Sequence, residues 1–125
     1  MIAHVVLFNL KPGLTADDRH GLADAFSSAT REIPAVRHAR IGSRVTVGRP
    51  YEGLMAVDYR FSAILEFDDL AGLKDYLDHP AHEQLAARFY ACVDQALTYD
   101  FEFWGTEEGI ASLRRATDAS TPRTG

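Results

Sequence analysis

Three polar side chains of this 125-residue chain, His4, Tyr76 and His82, fall where the surrounding pattern is apolar. His4 alternates with Ile2, Val6, Phe8 and Leu10, so an extended segment would place all five on one face. His82 precedes Leu85 by three residues and Phe89 by seven, the spacing of one helical stripe, and Tyr76 is in phase with Leu73 and Leu77. A buried imidazole needs a hydrogen-bond partner, because its desolvation is otherwise uncompensated. The three groups can satisfy one another as structure, or they can line a cavity. In a cavity their chemistry is proton transfer: a neutral histidine removes a proton α to a carbonyl, and a tyrosine O–H donates to the developing enolate oxygen.

Other chemistries find less support. His79 and His82 would offer a metal two ligands, but Pro80 between them prevents a regular helical turn and no third ligand is apparent, so no metal is expected. Cys92, between Ala91 and Val93, reads as a small core residue rather than a nucleophile. The glycines form neither a dinucleotide-binding nor a phosphate-loop pattern, and no cofactor is expected. His20 and His38 read as solvated.

The elements that must position these residues are legible in outline. Ile2 to Leu10 reads as a strand apolar on both faces, hence central in its sheet. Lys11-Pro12-Gly13 is a turn, and Thr15 caps an amphipathic helix over 16–32 that Pro34 ends. A second strand is expected within 36–48, a loop at 48–53, and a third strand from about Asp58 to Phe67. A short helix follows Asp69. Pro80 both stops it and starts the next, because its fixed φ and missing N–H suit a first helical turn. That second helix is expected to reach Ala96, and a last strand to run from Thr98 to Trp104.

The order β-α-β-β-α-β is the ferredoxin-like α+β plan, an antiparallel four-stranded sheet with helices on one face. Val6, Phe8, Phe61, Leu65, Phe67, Tyr99, Phe101 and Phe103 are expected under the helices. The opposite face would mix Val5, Leu7, Ile64 and Trp104 with Arg44, Arg60, Glu66, Asp100 and Glu102, their charges paired across a second subunit. The domain is placed at 1–104. Residues 105–125 form a tail, with a short helix at Ile110 to Arg115 against the body and disorder from 116 onward.

Composition narrows the class. With 46% apolar and 25% charged residues, the chain is an ordinary one-domain globule. A net charge of −5 argues against nucleic-acid or anionic-membrane partners. No apolar run approaches a membrane span, no secretory pattern opens the chain, and one cysteine allows no internal disulfide; a cytoplasmic location is expected.

His4-Val-Val-Leu-Phe, Ile33-Pro34-Ala35, Leu65-Glu-Phe-Asp-Asp, Tyr76-x-x-His79-Pro80-Ala81-His82 and Tyr99-Asp100-Phe101 together resemble the stress-responsive A/B barrel (Dabb) family over residues 1 to about 103. The resemblance implies homodimers whose sheets meet in a barrel. A plant branch of the family, the polyketide cyclases of the olivetolic acid type, performs an aldol cyclisation with retained carboxylate. By that resemblance His82 is the base, Tyr76 assists, and His4 shares the pocket. The lining would include Val6, Phe8, Phe26, Ala63, Phe89 and Val93. Val93 stands where that branch has a larger aromatic, so the substrate does not carry over. Some relatives hold a cation on backbone carbonyls, which here would be those of Thr30, Ile33 and Val36; such ligands leave no side-chain signature. The expectation is a homodimer with a small apolar pocket for a polyketide-like or other enolisable ligand. The alternative is a non-catalytic stress-associated or ligand-binding protein with structural histidines.

Overall fold

The computed structural model describes residues 1–116; the disorder expected from 116 onward falls, beyond Ala116, outside the described residues. The elements run β1 (Ile2–Leu10), α1 (Ala16–Glu32), β2 (His38–Ser43), a 3-10 turn (Pro50–Leu54), β3 (Phe61–Phe67), α2 (Leu70–Asp78), α3 (Pro80–Cys92), β4 (Val93–Glu102) and α4 (Thr106–Arg115). The strands form one antiparallel sheet in the order β2-β3-β1-β4, the ferredoxin-like topology. β1 is central, as its two apolar faces require.

Local chemistry sets the helix ends. The turn after β1 uses Gly13 at φ +79°, where a Cβ would be strained. Thr15 and Asp18 form a reciprocal capping box at the start of α1. Asp69 caps α2 through Gly72 N. His79 ends α2 and caps α3, its Nδ1 accepting from Ala81 N at 3.0 Å, and Pro80 occupies the first turn of α3.

The core lies between helices and sheet. Phe8 stands at its centre, with ring centroids 6.2 Å from Phe26, 5.6 Å from Phe61 and 5.3 Å from Phe89. Leu22, Ala29, Leu65, Phe67, Leu73 and Leu85 complete it. Ala29 and Ala63 are fully buried, so the small side chains mark where helix and sheet approach most closely.

The C-terminal third departs from expectation. α3 ends at Cys92, four residues earlier than its apolar stripe suggests, and β4 begins at once with Val93. The face assignment of β4 is reversed. His4 pairs with Asp100 and Ile2 with Glu102, while Val5 pairs with Tyr99 and Ala3 with Phe101. Cross-strand partners share a face, so Asp100 and Glu102 lie on the helix side and Tyr99 and Phe101 on the open side. Apolarity alone pointed the aromatic set inward, but the ladder with β1 fixes the phase, and a one-residue slip moves every side chain across.

The open face thus carries Val5, Leu7, Ile64, Leu97, Tyr99 and Phe101 as one apolar band. Arg44 and Arg60 both pair with Asp58 of their own chain. β2 is shorter than expected, and Tyr59 precedes β3. The final helix begins at Thr106 rather than Ile110, and none of its residues is buried.

Candidate active site

β1 supplies His4, α2 supplies Tyr76 and α3 supplies His82, and the fold brings all three together. The His4 and Tyr76 ring centroids are 5.8 Å apart at 60°. Those of Tyr76 and His82 are 4.7 Å apart at 64°, an edge-to-face contact. The break at His79–Pro80 makes this possible: Tyr76 lies on the last turn of α2 and His82 on the first turn of α3, so two differently directed helices aim rings at one point.

Asp100 is a fourth member, which the sequence reading had assigned to the opposite face. His4 Nδ1–H donates to Asp100 Oδ1 at 2.5 Å. His4 is 8% exposed, so the carboxylate answers the hydrogen-bonding demand of a buried imidazole. The signal was present in principle. A buried His4 on a central strand calls for an acceptor on its neighbour, and the flanking strand offers Asp100 in the right phase only if its aromatics point outward.

His4, Tyr76 and His82 border a cavity of about 270 Å³ between sheet and helices, with Asp100 outside its lining and reaching it only through His4. Val6, Phe26, Ala63 and Phe89 line it as expected, with Leu65, Leu85, Ala96 and Thr98 as unforeseen neighbours. Phe8 lies behind the wall, packed among the three other phenylalanines, and does not line it. Val93 does not line it either. It opens β4 opposite Leu10 instead of continuing α3, and so leaves the helical stripe that would have pointed it inward.

Burial sets the protonation of the rings. It holds His82 below the ordinary histidine range, and the neighbouring His4 pushes the same way; a hydrogen bond with the Leu77 backbone and the charge of Glu83 oppose it. Burial pushes the Tyr76 phenol up to about 12, so it stays a neutral donor across the physiological range. Tyr76 is 2% exposed and lines the cavity. The site therefore brings a phenol, an imidazole and a second imidazole hydrogen-bonded to a carboxylate to one mainly apolar cavity.

His79 serves as a helix cap, and no group of three or more metal-ligating side chains occurs among the described residues. At the end of α1 the Ile33 carbonyl accepts from Val36 N at 3.1 Å.

The sequence is 34% identical over 85 residues to an uncharacterised protein of Streptomyces coelicolor, covering 66% of this chain and 80% of that one. Among solved structures, a Dabb family protein with a ferredoxin-like fold from Mesorhizobium loti is 28% identical with a TM-score of 0.66, covering 83% of this chain and 97% of the other. A dimeric ferredoxin-like protein of unknown function from Thermobifida fusca is 24% identical with a TM-score of 0.63, covering 82% and 90%. The hydroxynitrile lyase of Passiflora edulis shares the fold at 13% identity, with a TM-score of 0.70 and coverage of 84% and 94%. The model of the stress-responsive A/B barrel domain matches residues 2–103, all four strands and the helices α1 to α3. The chain belongs to that family.

Proposed function

We propose that this protein is a homodimeric, cytoplasmic enzyme of the cyclase or lyase type that uses His82 as general base on a small enolisable carbonyl compound. His82 removes a proton from carbon α to a carbonyl, and the C–H electron pair moves into the enolate. Tyr76 O–H donates a hydrogen bond to the enolate oxygen. In an aldol cyclisation the enolate carbon then attacks a second carbonyl of the same molecule, whose oxygen takes up the proton. Asp100 holds His4 in one tautomer and fixes the wall against which the ligand rests.

One observation carries this reading. A phenol and two imidazoles, one of them the buried His4 held by Asp100, border one apolar cavity. The fold itself also houses a hydroxynitrile lyase in Passiflora edulis.

The test is deuterium uptake by acetylacetone at its central carbon, followed by NMR above the buffer rate. Wild-type protein accelerates uptake, and His82→Ala lowers the acceleration by roughly the 10²–10⁴ that general base catalysis contributes. Equal rates in the two proteins, with both folded, would remove His82 from the mechanism.

A second reading, a ligand-binding protein without catalysis, draws on the fact that His4 is already hydrogen-bonded within the fold. On that reading His82→Ala lowers the melting temperature and leaves exchange at the buffer rate in both proteins.

A further inference from the structure

The segment 44–60 joins β2 to β3, and polar contacts hold its shape. The Glu52 carboxylate accepts from the Val47 and Arg49 amides, each at 2.8 Å, which ties the 3-10 turn to the chain before it. At the base, Arg44 and Arg60 both reach Asp58. The Asn9 side chain donates to the Asp58 carbonyl at 3.0 Å and accepts from Arg60 N at 2.7 Å. These contacts fasten the segment's ends to each other and to β1. Its large apolar side chains take little part. Val45, Val47, Tyr51, Leu54 and Met55 are each more than half exposed, and no residue of the 3-10 turn is buried. Single exposed apolar residues are ordinary, but a cluster on a pre-shaped loop marks an interaction surface.

The segment also borders the open sheet face. Tyr51, Met55 and Val57 form one side of a groove of about 340 Å³, and Leu7 and Ser62 form another. Leu7 and Ser62 are ladder partners that share the open face with Val5 and Ile64. The loop thus raises a lip at one end of the apolar band. We infer that segment 44–60 is an arm that grips a second copy of this chain, its exposed apolar side chains closing on the partner where the sheet ends. The inference rests on the homodimer proposed above and adds a contact outside the sheet. Continuity selects this occupant. One wall of the groove belongs to the face that the partner covers, so any other protein docked there would compete with the dimer. The polar ties serve the same end, because an arm ordered in advance loses little conformational entropy on docking.

The dimer dissociation constant of the full chain is measured by sedimentation velocity over a dilution series. Leu54 and Val47 are 79% and 62% exposed, so each can carry a charge without disturbing the fold, which circular dichroism verifies. Each side chain is buried once per subunit when the arms close. Leu54→Asp and Val47→Asp are therefore expected to raise the constant by on the order of a hundredfold. A rise in one of the two suffices, since the partner need not reach both. Leu54→Met keeps an apolar side chain and stays close to wild type. A wild-type dimer whose constant neither aspartate moves, or an equal rise in Leu54→Met, overturns the arm and leaves the sheet-face dimer standing. Failure of the homodimer reading looks different: the wild-type chain sediments as a monomer at every concentration, and the arm falls with it.

Discussion

At the scale of single residues, the site depends on how burial treats each ring. Desolvation favours the neutral imidazole of His82, so its folded-state pKa lies below the ordinary value of 6.5. Between that lowered value and 6.5 the unfolded chain binds a proton that the folded chain does not, so this group's contribution makes stability fall with decreasing pH. Above 6.5 the penalty vanishes. Chemical denaturation midpoints at pH 5 and pH 7.5 measure it: wild type loses more on acidification than His82→Gln, and an identical loss in the two proteins would contradict the assignment. The base is the deprotonated ring, so exchange activity falls on the acid side of the same titration.

At the scale of elements, the break between α2 and α3 positions the chemistry. His79 was legible in the sequence as a junction residue, and the structure gives it a task, capping α3 through Nδ1. Replacing it by alanine costs roughly 1 kcal/mol, the usual loss for a removed N-cap. His79→Ala is expected to melt a few degrees lower while the folded protein retains its proton-exchange rate. Thermal denaturation followed by circular dichroism, run beside the exchange assay, checks both halves. A variant with unchanged melting but lost exchange would place His79 in the reaction instead. The same junction lets Tyr76 and His82 meet although they sit on separate helices.

At the scale of the whole molecule, the open sheet face is the main uncovered apolar surface. Tyr99, Phe101 and Phe103 are each about half exposed, and Tyr99, on the edge strand β4, lies beside Val5 of the central β1. Such a band calls for cover, and the proposed homodimer supplies it. The inward assignment of these aromatics understated that need; with their phase corrected the face is more apolar than the sequence reading had it. Tyr99→Arg places a charge within that apolar band, next to Val5. Sedimentation equilibrium should then find the mass of one chain where wild type gives that of two. A wild-type monomer, or a dimer indifferent to the substitution, would move the interface elsewhere.

The sequence by itself determined the element order, the central place of β1, the cap at Thr15, the helix break at Pro80, and the convergence of His4, Tyr76 and His82. These follow from periodicity, turn chemistry and the family motif, all local or short-range signals. Tertiary structure decided what no local pattern carries: the phase of β4, and with it Asp100. An alternation of aromatic and acidic residues in Tyr99–Glu102 is the same whichever face is buried, and only pairing with β1 chooses between the two. The end of α3 was obscured for a related reason, since Val93 and Ala96 continue its apolar spacing while the chain has already turned into strand. The three side chains that prompted the functional reading were visible from the start. The carboxylate that completes them, and the cavity they border, exist only once the ladder is formed.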